Sequence, residues 1–172
     1  MTLEPRNGIT CFVIFLLWFC VQTATGAELP KPSGNVLLRI TGNISKTNAP
    51  GAVEMDLTML ESLDAESFVT STPWTDAPTK FTGVRISRLL EYVGANSSDF
   101  RASALDQYWN DLTAMDFDTI PAVIAYKKND EYMRVRQLGP LWIMFPFDDF
   151  PQLSTEKYLT ASVWQLVEIE IQ

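Results

Sequence analysis

The segment Ser71-Thr72-Pro73-Trp74-Thr75-Asp76 joins the end of a β-prone run to the start of a polar loop. Pro73 stops the preceding run, because proline has no backbone N–H to donate to a neighbouring strand. Two later segments, Arg136-Gln137-Leu138-Gly139-Pro140-Leu141-Trp142 and Ser162-Val163-Trp164-Gln165-Leu166, also place a tryptophan beside turn-forming or polar residues. We predict that the three segments converge on one binding site.

Residues 1–27 are predicted to be an export signal that is removed from the mature protein. Arg6 supplies a positive charge, residues 9–21 are mainly apolar, and Thr25-Gly26-Ala27 offers small residues for cleavage. The apolar run is shorter than the roughly 20 residues that a membrane-spanning helix needs, although an uncleaved anchor is the alternative. We therefore expect residues 28–172 to form a single domain in the periplasm.

The residue types that are missing restrict the chemistry of this domain. Cys11 and Cys20 both lie in the predicted signal, and the chain has no histidine. Residues 28–172 therefore lack thiolate and imidazole ligands, disulfides and the usual cysteine–histidine or serine–histidine nucleophile pairs. Because no disulfide is present, stability must come from the hydrophobic core, and 47% of the chain is hydrophobic.

The charge of the chain argues against nucleic acid as a partner. The net charge is −8, and no run of four basic residues occurs. Proteins that bind nucleic acid or anionic membranes usually carry a basic patch. The acidic side chains are spread along the chain, which favours a role in solubility.

The hydrophobic pattern predicts an α+β domain with a mostly β core. Ile86, Leu89, Leu90 and Val93 follow helical spacing, and Gly94 stands where a C-terminal glycine cap belongs. A shorter helix is predicted over 57–63, with Asp56 or Thr58 as its cap, and a loop over 72–80. Strands are predicted at residues 35–40, 53–57, 67–71, 102–105, 120–126, 131–135, 141–145 and 162–171.

Trp74 is the first candidate ligand-binding residue. Its large flat ring suits a planar heterocycle, and Thr75 adds a polar group beside it. The alternative is a core tryptophan that seals the loop onto the domain. Trp164 and Gln165 have the same two interpretations, as a pocket edge or as ordinary packing.

Tyr108 and Trp109 lie between two acidic residues, Asp106 and Asp111. Strand alternation would send the two aromatic side chains to opposite faces, one to the core and one to a site. A carboxylate here can accept two N–H bonds from an amino-pyrimidinone edge. The alternative is that both acids are ordinary solvated loop residues.

Arg134 and Arg136 alternate with Val135, which places both arginines on one face if the segment is a strand. Two such cations suit an anionic or carbonyl-rich ligand. The alternative is surface pairing with Asp148 or Asp149. Too few other oxygen donors surround these two acids for us to expect a metal site.

Four parts of the chain follow one another in a recognisable order. They are Phe81-Thr82-Gly83-Val84 with Leu89-Leu90-Glu91-Tyr92-Val93-Gly94, Ile124-Ala125-Tyr126, Leu138-Gly139-Pro140-Leu141-Trp142-Ile143, and Ser162-Val163-Trp164-Gln165-Leu166 with Ile169. Together they resemble the molybdopterin-binding domain of the sulfite-oxidase fold. The resemblance implies that fold for residues 28–172.

Other positions depart from the pattern of the catalytic members. Ser71 or Thr72 stands where those enzymes carry the cysteine that binds molybdenum, Trp142 replaces an arginine, and Trp164 replaces a lysine. Tyr108 falls where the enzymes keep a tyrosine. Losing the thiolate and the cations removes the metal ligand and the anchors of an anionic cofactor. A site changed in this way should prefer a neutral planar ring.

The Thr-Pro-Trp and Ser-Val-Trp-Gln-Leu variants resemble a subgroup of small exported bacterial proteins that bind a reduced pterin. The resemblance implies a non-catalytic sensor whose partner is the periplasmic domain of a membrane protein controlling cyclic-di-GMP. It also implies a ligand site without a metal, lined by Trp74, Thr75, Tyr108, Asp111, Arg136, Trp142, Trp164 and Gln165. Two alternatives stay open: a molybdopterin-dependent oxidoreductase, and a structural protein with a vestigial pocket.

Overall fold

Strands with alternating buried side chains form the first of two β-sheets in the computed structural model. The structure describes Thr2 and residues 29–172. Apart from Thr2, the signal predicted over 1–27 lies outside the described residues. This sheet has five strands in the order β2 (Val53–Met55), β1 (Leu38–Gly42), β10 (Leu166–Ile171), β5 (Phe100–Ala104) and β6 (Trp109–Leu112). β1 and β10 run parallel, and the other neighbours are antiparallel.

The second sheet is antiparallel and is organised around β7. Its strands are β3 (Ala65–Thr70), β4 (Thr79–Arg85), β7 (Val123–Lys128), β8 (Glu131–Tyr132) and β9 (Trp142–Met144). β4 lies between β3 and β7, while β8 and β9 both pair with β7. Buried side chains from both sheets belong to one hydrophobic cluster, which includes Ile40 from the first sheet and Phe81 from the second.

Among the described residues, three short α-helices accompany the sheets: α1 (Leu57–Glu61), α2 (Ile86–Val93) and α3 (Glu156–Ala161). The structure confirms the predicted helix over 86–93, whose apolar residues are buried, and Gly94 ends it with a φ of 63°. The ring of Tyr158 packs against Phe145 at 5.3 Å between centroids, which fixes α3 on the core. None of the described helices is long and apolar enough to cross a membrane.

Two predicted segments are wrong in their local structure. The loop predicted over 72–80 ends where β4 begins, and this strand was not predicted. Pairing with β3 and β7 outweighs the weak strand preference of Lys80 and Gly83. The strand predicted over 131–135 stops after two residues, and Val135–Gln137 is a 3-10 turn. Arg134 and Arg136 therefore do not share the face of a strand.

The last strand also begins later than predicted. Gln165 has a φ of 50°, a left-handed conformation that interrupts an extended backbone. Trp164 and Gln165 consequently precede β10, and they are held in a connecting segment near the Gly139-Pro140 turn. The backbone N–H of Gln165 donates to the carbonyl of Leu138 at 3.0 Å.

Asp56 ties the segment that precedes β1 to the start of α1. Its carboxylate accepts hydrogen bonds from the backbone N–H groups of Ser33 and Gly34, both at 2.7 Å, and of Met59 at 2.9 Å. Of the two caps predicted for this helix, the structure selects Asp56. These N–H donors hold the pKa of the Asp56 carboxyl below its usual range, the Met59 bond contributing most.

Replacing Asp56 with asparagine is expected to lower the free energy of unfolding by about 2 kcal/mol at pH 7, because a charge-assisted acceptor is lost. The pKa of Asp56 is lower in the folded than in the unfolded chain, so its contribution is present above the unfolded pKa. That contribution disappears as the pH falls through the folded pKa. In urea unfolding between pH 7 and pH 2, the stabilities of the wild type and of Asp56→Asn should therefore converge at acid pH. A difference in stability that stays constant with pH would contradict the lowered pKa of Asp56.

Candidate functional site

Three tryptophans from the segments predicted to converge do meet in space. Ring centroids are 5.8 Å apart for Trp74 and Trp142, 5.9 Å for Trp74 and Trp164, and 6.4 Å for Trp142 and Trp164. All three pairs are edge-to-face, an arrangement that aligns the electron-poor edge of one ring with the face of another. We call these three residues the tryptophan cluster.

The three members differ in exposure, and so in what they can do. Trp142 is fully buried, packs edge-to-face on Phe81, and its indole N–H donates to the carbonyl of Ser162 at 3.1 Å. Trp74 and Trp164 are partly exposed in front of it. Trp142 is thus the support of the cluster, while Trp74 and Trp164 are the rings that a ligand can reach.

A cavity of about 280 Å³ opens beside the two exposed rings. It is lined by Trp74, Asp106, Tyr108, Leu159, Thr160, Ser162 and Trp164. The hydroxyl of Tyr108 donates to the carbonyl of Thr160 at 3.2 Å, and this bond joins the β5–β6 turn to α3 across the cavity wall. The volume lies near the lower end of the range for small-molecule sites, which suits a small planar ligand.

Asp106 gives the cavity its one charged lining group. The carboxylate accepts the backbone N–H of Tyr108 at 3.1 Å through Oδ1, a local turn that fixes its orientation. Within the part of the chain that the structure describes, Asp106 forms no salt bridge. The cavity therefore presents aromatic faces together with an exposed carboxylate that has no cationic partner among the described residues.

Asp111, the acid predicted for the site, lies elsewhere. It is on β6 and forms a two-pronged ion pair with Arg101, Nε to Oδ1 at 2.8 Å and Nη2 to Oδ2 at 3.1 Å. The Arg101 guanidinium holds the pKa of Asp111 below its usual range and also stacks on Trp109, 4.2 Å from the ring centroid. The structure thus brings Asp106, and not Asp111, to the cavity.

Tyr108 and Trp109 do point to opposite sides, as alternation predicted. Tyr108 faces the cavity, whereas Trp109 lies with Arg101 on the outer side of the first sheet. Neither is a core residue, because Tyr108 is 44% and Trp109 is 55% exposed. The expectation that one of them is core is wrong.

The remaining predicted site residues do not line the cavity. Thr75 follows Trp74, and its hydroxyl is 2.9 Å from that of Thr72. The side-chain amide of Gln165 donates to the carbonyl of Val135 at 2.9 Å. Arg136 is exposed in the 3-10 turn. Thr75 and Gln165 stabilise the loops that carry the exposed tryptophans.

Helix α3 supplies two lining residues that the sequence did not reveal, Leu159 and Thr160. Ser162, which begins one of the three predicted segments, lines the cavity immediately after the helix. Thr155 followed by Glu156 is a recognised start signal for a helix, and this signal was available in the sequence. The position of Leu159 and Thr160 beside Trp74 depends on the packing of α3 against Phe145, which hydrophobic periodicity does not show.

A larger cavity of about 570 Å³ lies near the start of α2. Both arginines of its lining already pair with acidic lining groups: Arg88 contacts Glu91 at 2.8 Å and Asp64 at 3.6 Å, and Arg85 contacts Glu66 at 3.5 Å. A ligand would have to displace these partners. The cavity beside the tryptophan cluster makes no such demand and is the stronger candidate.

The architecture is a sulfite-oxidase-like molybdopterin-binding fold, an α+β domain with a mostly β core and three short helices. A solved structure that shares it is the sulfane dehydrogenase SoxCD from Paracoccus pantotrophus, with a TM-score of 0.57 at 15% sequence identity. The similarity covers 78% of this chain but only 37% of the SoxCD chain. No protein-family model matches the sequence, and neither does any curated protein. The likeness to SoxCD shows the fold alone.

The residues at the site do not fit the molybdenum cofactor. At the end of β3, where the resemblance expects a thiolate, the backbone N–H and hydroxyl of Ser71 both donate to Asp148, at 2.9 and 3.0 Å. The positions expected to hold two cations carry Trp142 and Trp164, and the cavity lining contains an acid but no lysine or arginine. An anionic cofactor phosphate would meet a carboxylate and no counter-charge. Among the described residues, no cluster of three or more acidic, cysteine or histidine side chains forms a metal site.

Proposed function

We propose that this chain is a non-catalytic, exported pterin-binding protein that reports ligand occupancy to a membrane-bound signalling partner. The observation that carries the proposal is the cavity beside the tryptophan cluster, with the exposed rings of Trp74 and Trp164, the phenol of Tyr108 and a carboxylate at its edge. Aromatic faces bind a flat heterocycle, and the carboxylate accepts N–H groups from its rim.

The composition of the site also favours binding over chemistry. The lining has no cysteine or histidine to ligate molybdenum and no lysine or arginine to anchor a phosphate. The support of Trp142 behind the two exposed rings holds them in place before a ligand arrives, which reduces the entropy cost of binding. A fixed, uncharged aromatic wall suits a receptor for a neutral ring.

The signalling role extends the subgroup resemblance seen in the sequence. The predicted signal over 1–27 supports export, and the partner we propose is the periplasmic domain of a membrane protein that controls cyclic-di-GMP. Purified mature protein, incubated with that domain with and without pterin, should form a complex whose stability changes when the cavity is occupied. Identical binding in both conditions would remove the reporting role and leave the pterin site intact.

Pterin binding is tested by fluorescence titration of residues 28–172 with a reduced pterin. We expect quenching with a dissociation constant in roughly the micromolar range. Replacing Trp74 with alanine should weaken binding about tenfold, because stacking on one aromatic ring is lost. Trp109→Ala is the matched control, since Trp109 is also an exposed tryptophan but lies outside the cavity. Unchanged fluorescence at a hundredfold excess of ligand would defeat the proposal.

The second candidate is a molybdopterin-dependent oxidoreductase, and the fold shared with the sulfane dehydrogenase SoxCD is the observation that favours it. Two observations argue against it. Ser71 stands at the end of β3 where a thiolate is expected, and Trp142 and Trp164 stand where two cations are expected. Elemental analysis of protein expressed in a host that makes the cofactor separates the two functions. Stoichiometric molybdenum would reverse our preference.

A further inference from the structure

We infer that Asp106 selects the ligand by accepting two adjacent N–H groups from one ring edge, so that the site takes a 2-amino-4-oxo-pyrimidine edge and rejects the 2,4-dioxo edge. This inference rests on the proposed function and adds the residue that sets its specificity. It assigns the role of acceptor to Asp106 and leaves Asp111 out of the site.

The position of Asp106 is set by the turn between β5 and β6. The backbone N–H of Gln107 donates to the carbonyl of Ala104 at 3.1 Å, and the N–H of Tyr108 donates to Oδ1 of Asp106 at 3.1 Å. The second carboxylate oxygen has no hydrogen-bond partner among the described residues, and Oδ1 retains a further lone pair. Both oxygens are therefore available at the edge of the cavity.

The rest of the lining explains why the carboxylate decides specificity. Trp74, Trp164 and Leu159 offer apolar surface that accepts any flat ring of suitable size, so they do not distinguish one pteridine from another. The carbonyl of Thr160 already accepts the Tyr108 hydroxyl. Asp106 is the lining side chain that carries a charge, and a carboxylate cannot donate when it is ionised.

Pterin and lumazine differ at the ring edge that would face Asp106. In a pterin, the ring N3–H and the 2-amino group are adjacent donors that match the two oxygens of one carboxylate. In lumazine, a carbonyl replaces the amino group, so an acceptor faces the carboxylate. Asp106 is exposed, so water solvates its carboxylate when no ligand is bound, and the penalty for lumazine comes from the carbonyl oxygen that would face the carboxylate oxygens.

The test compares pterin and lumazine on the wild-type protein and on Asp106→Asn, with binding measured by calorimetry. We expect lumazine to bind the wild type at least about tenfold more weakly than pterin, and Asp106→Asn to lose about tenfold in pterin affinity and most of that discrimination. Asparagine keeps an oxygen for the Tyr108 N–H, so melting temperatures should agree. The matched control is Asp111→Asn, which should leave both affinities unchanged.

The possible results distinguish the proposed function from the role of Asp106. Failure of the wild type to bind pterin defeats the proposed function together with this inference. Equal affinities for pterin and lumazine, or unchanged pterin affinity in Asp106→Asn, overturn only the role of Asp106. Competition by tetramethylammonium also overturns it, because that cation has no N–H and would show that the carboxylate and the aromatic rings recognise positive charge alone.

Discussion

Replacing Trp142 with alanine is expected to lower the free energy of unfolding by roughly 3–5 kcal/mol, the range for truncating a large buried aromatic residue. Trp142 is fully buried, packs on Phe81 at 5.6 Å and stands behind Trp74 and Trp164. Its removal also leaves the Ser162 carbonyl without its indole donor. The melting temperature should fall by on the order of 10 °C.

The measurement is urea unfolding followed by far-UV circular dichroism, which does not depend on tryptophan fluorescence. Trp109→Ala serves as the control, because the same side chain is removed from a surface position that is 55% exposed. We expect that control to lose no more than about 1 kcal/mol, from its stacking with Arg101. Equal losses in the two variants would show that Trp142 is not the support of the cluster.

The second large effect is expected at Gly83, which lies in the middle of β4 beside β7. A Cβ atom at this position would overlap the carbonyl oxygen of Ile124 and come within 2.6 Å of the Cα of Ala125. Both atoms belong to the backbone of the paired strand, at a place where the register shifts. Gly83→Ala must push the two strands apart, and we expect a loss of roughly 3 kcal/mol or more.

Gly34→Ala is the control for Gly83→Ala. There, an added Cβ meets the Asp56 carboxylate at 3.5 Å, an ordinary contact distance, and the backbone N–H that donates to Asp56 is kept. That variant should stay within about 0.5 kcal/mol of the wild type. Far-UV circular dichroism during urea unfolding again provides the comparison. Equal stability of the two variants would contradict the close approach of β4 and β7.

The sequence predicted the elements whose pattern is local. Helix α2 was predicted over its full length, because four apolar residues follow one helical face and Gly94 permits the left-handed cap. β4 was not predicted, because Lys80 and Gly83 have little preference for a strand and are extended through pairing on both sides. α3 was missed although Thr155 and Glu156 signal its start.

The site was predicted in the same uneven way. The convergence of Trp74, Trp142 and Trp164 was predicted from three segments that each place a tryptophan near a turn, and the structure brings these rings within 6.4 Å of one another. The resemblance assigned Asp111 to the site, but Asp111 lies on β6 and pairs with Arg101, whereas Asp106, in the turn before β6, lines the cavity. Which acid faces the cavity depends on how this turn packs against α3, and local sequence patterns do not show that packing.

The sequence by itself determined which chemistry residues 28–172 lack, since composition needs no coordinates: no thiolate, no imidazole and no basic run. It also indicated the α+β class and the turn-forming or polar residues beside each of the three tryptophans. Only the tertiary structure decided that Trp142 supports while Trp74 and Trp164 face the cavity, and that Asp106 shares this cavity with α3. Burial and side-chain direction depend on contacts between residues far apart in the chain, which local patterns do not encode.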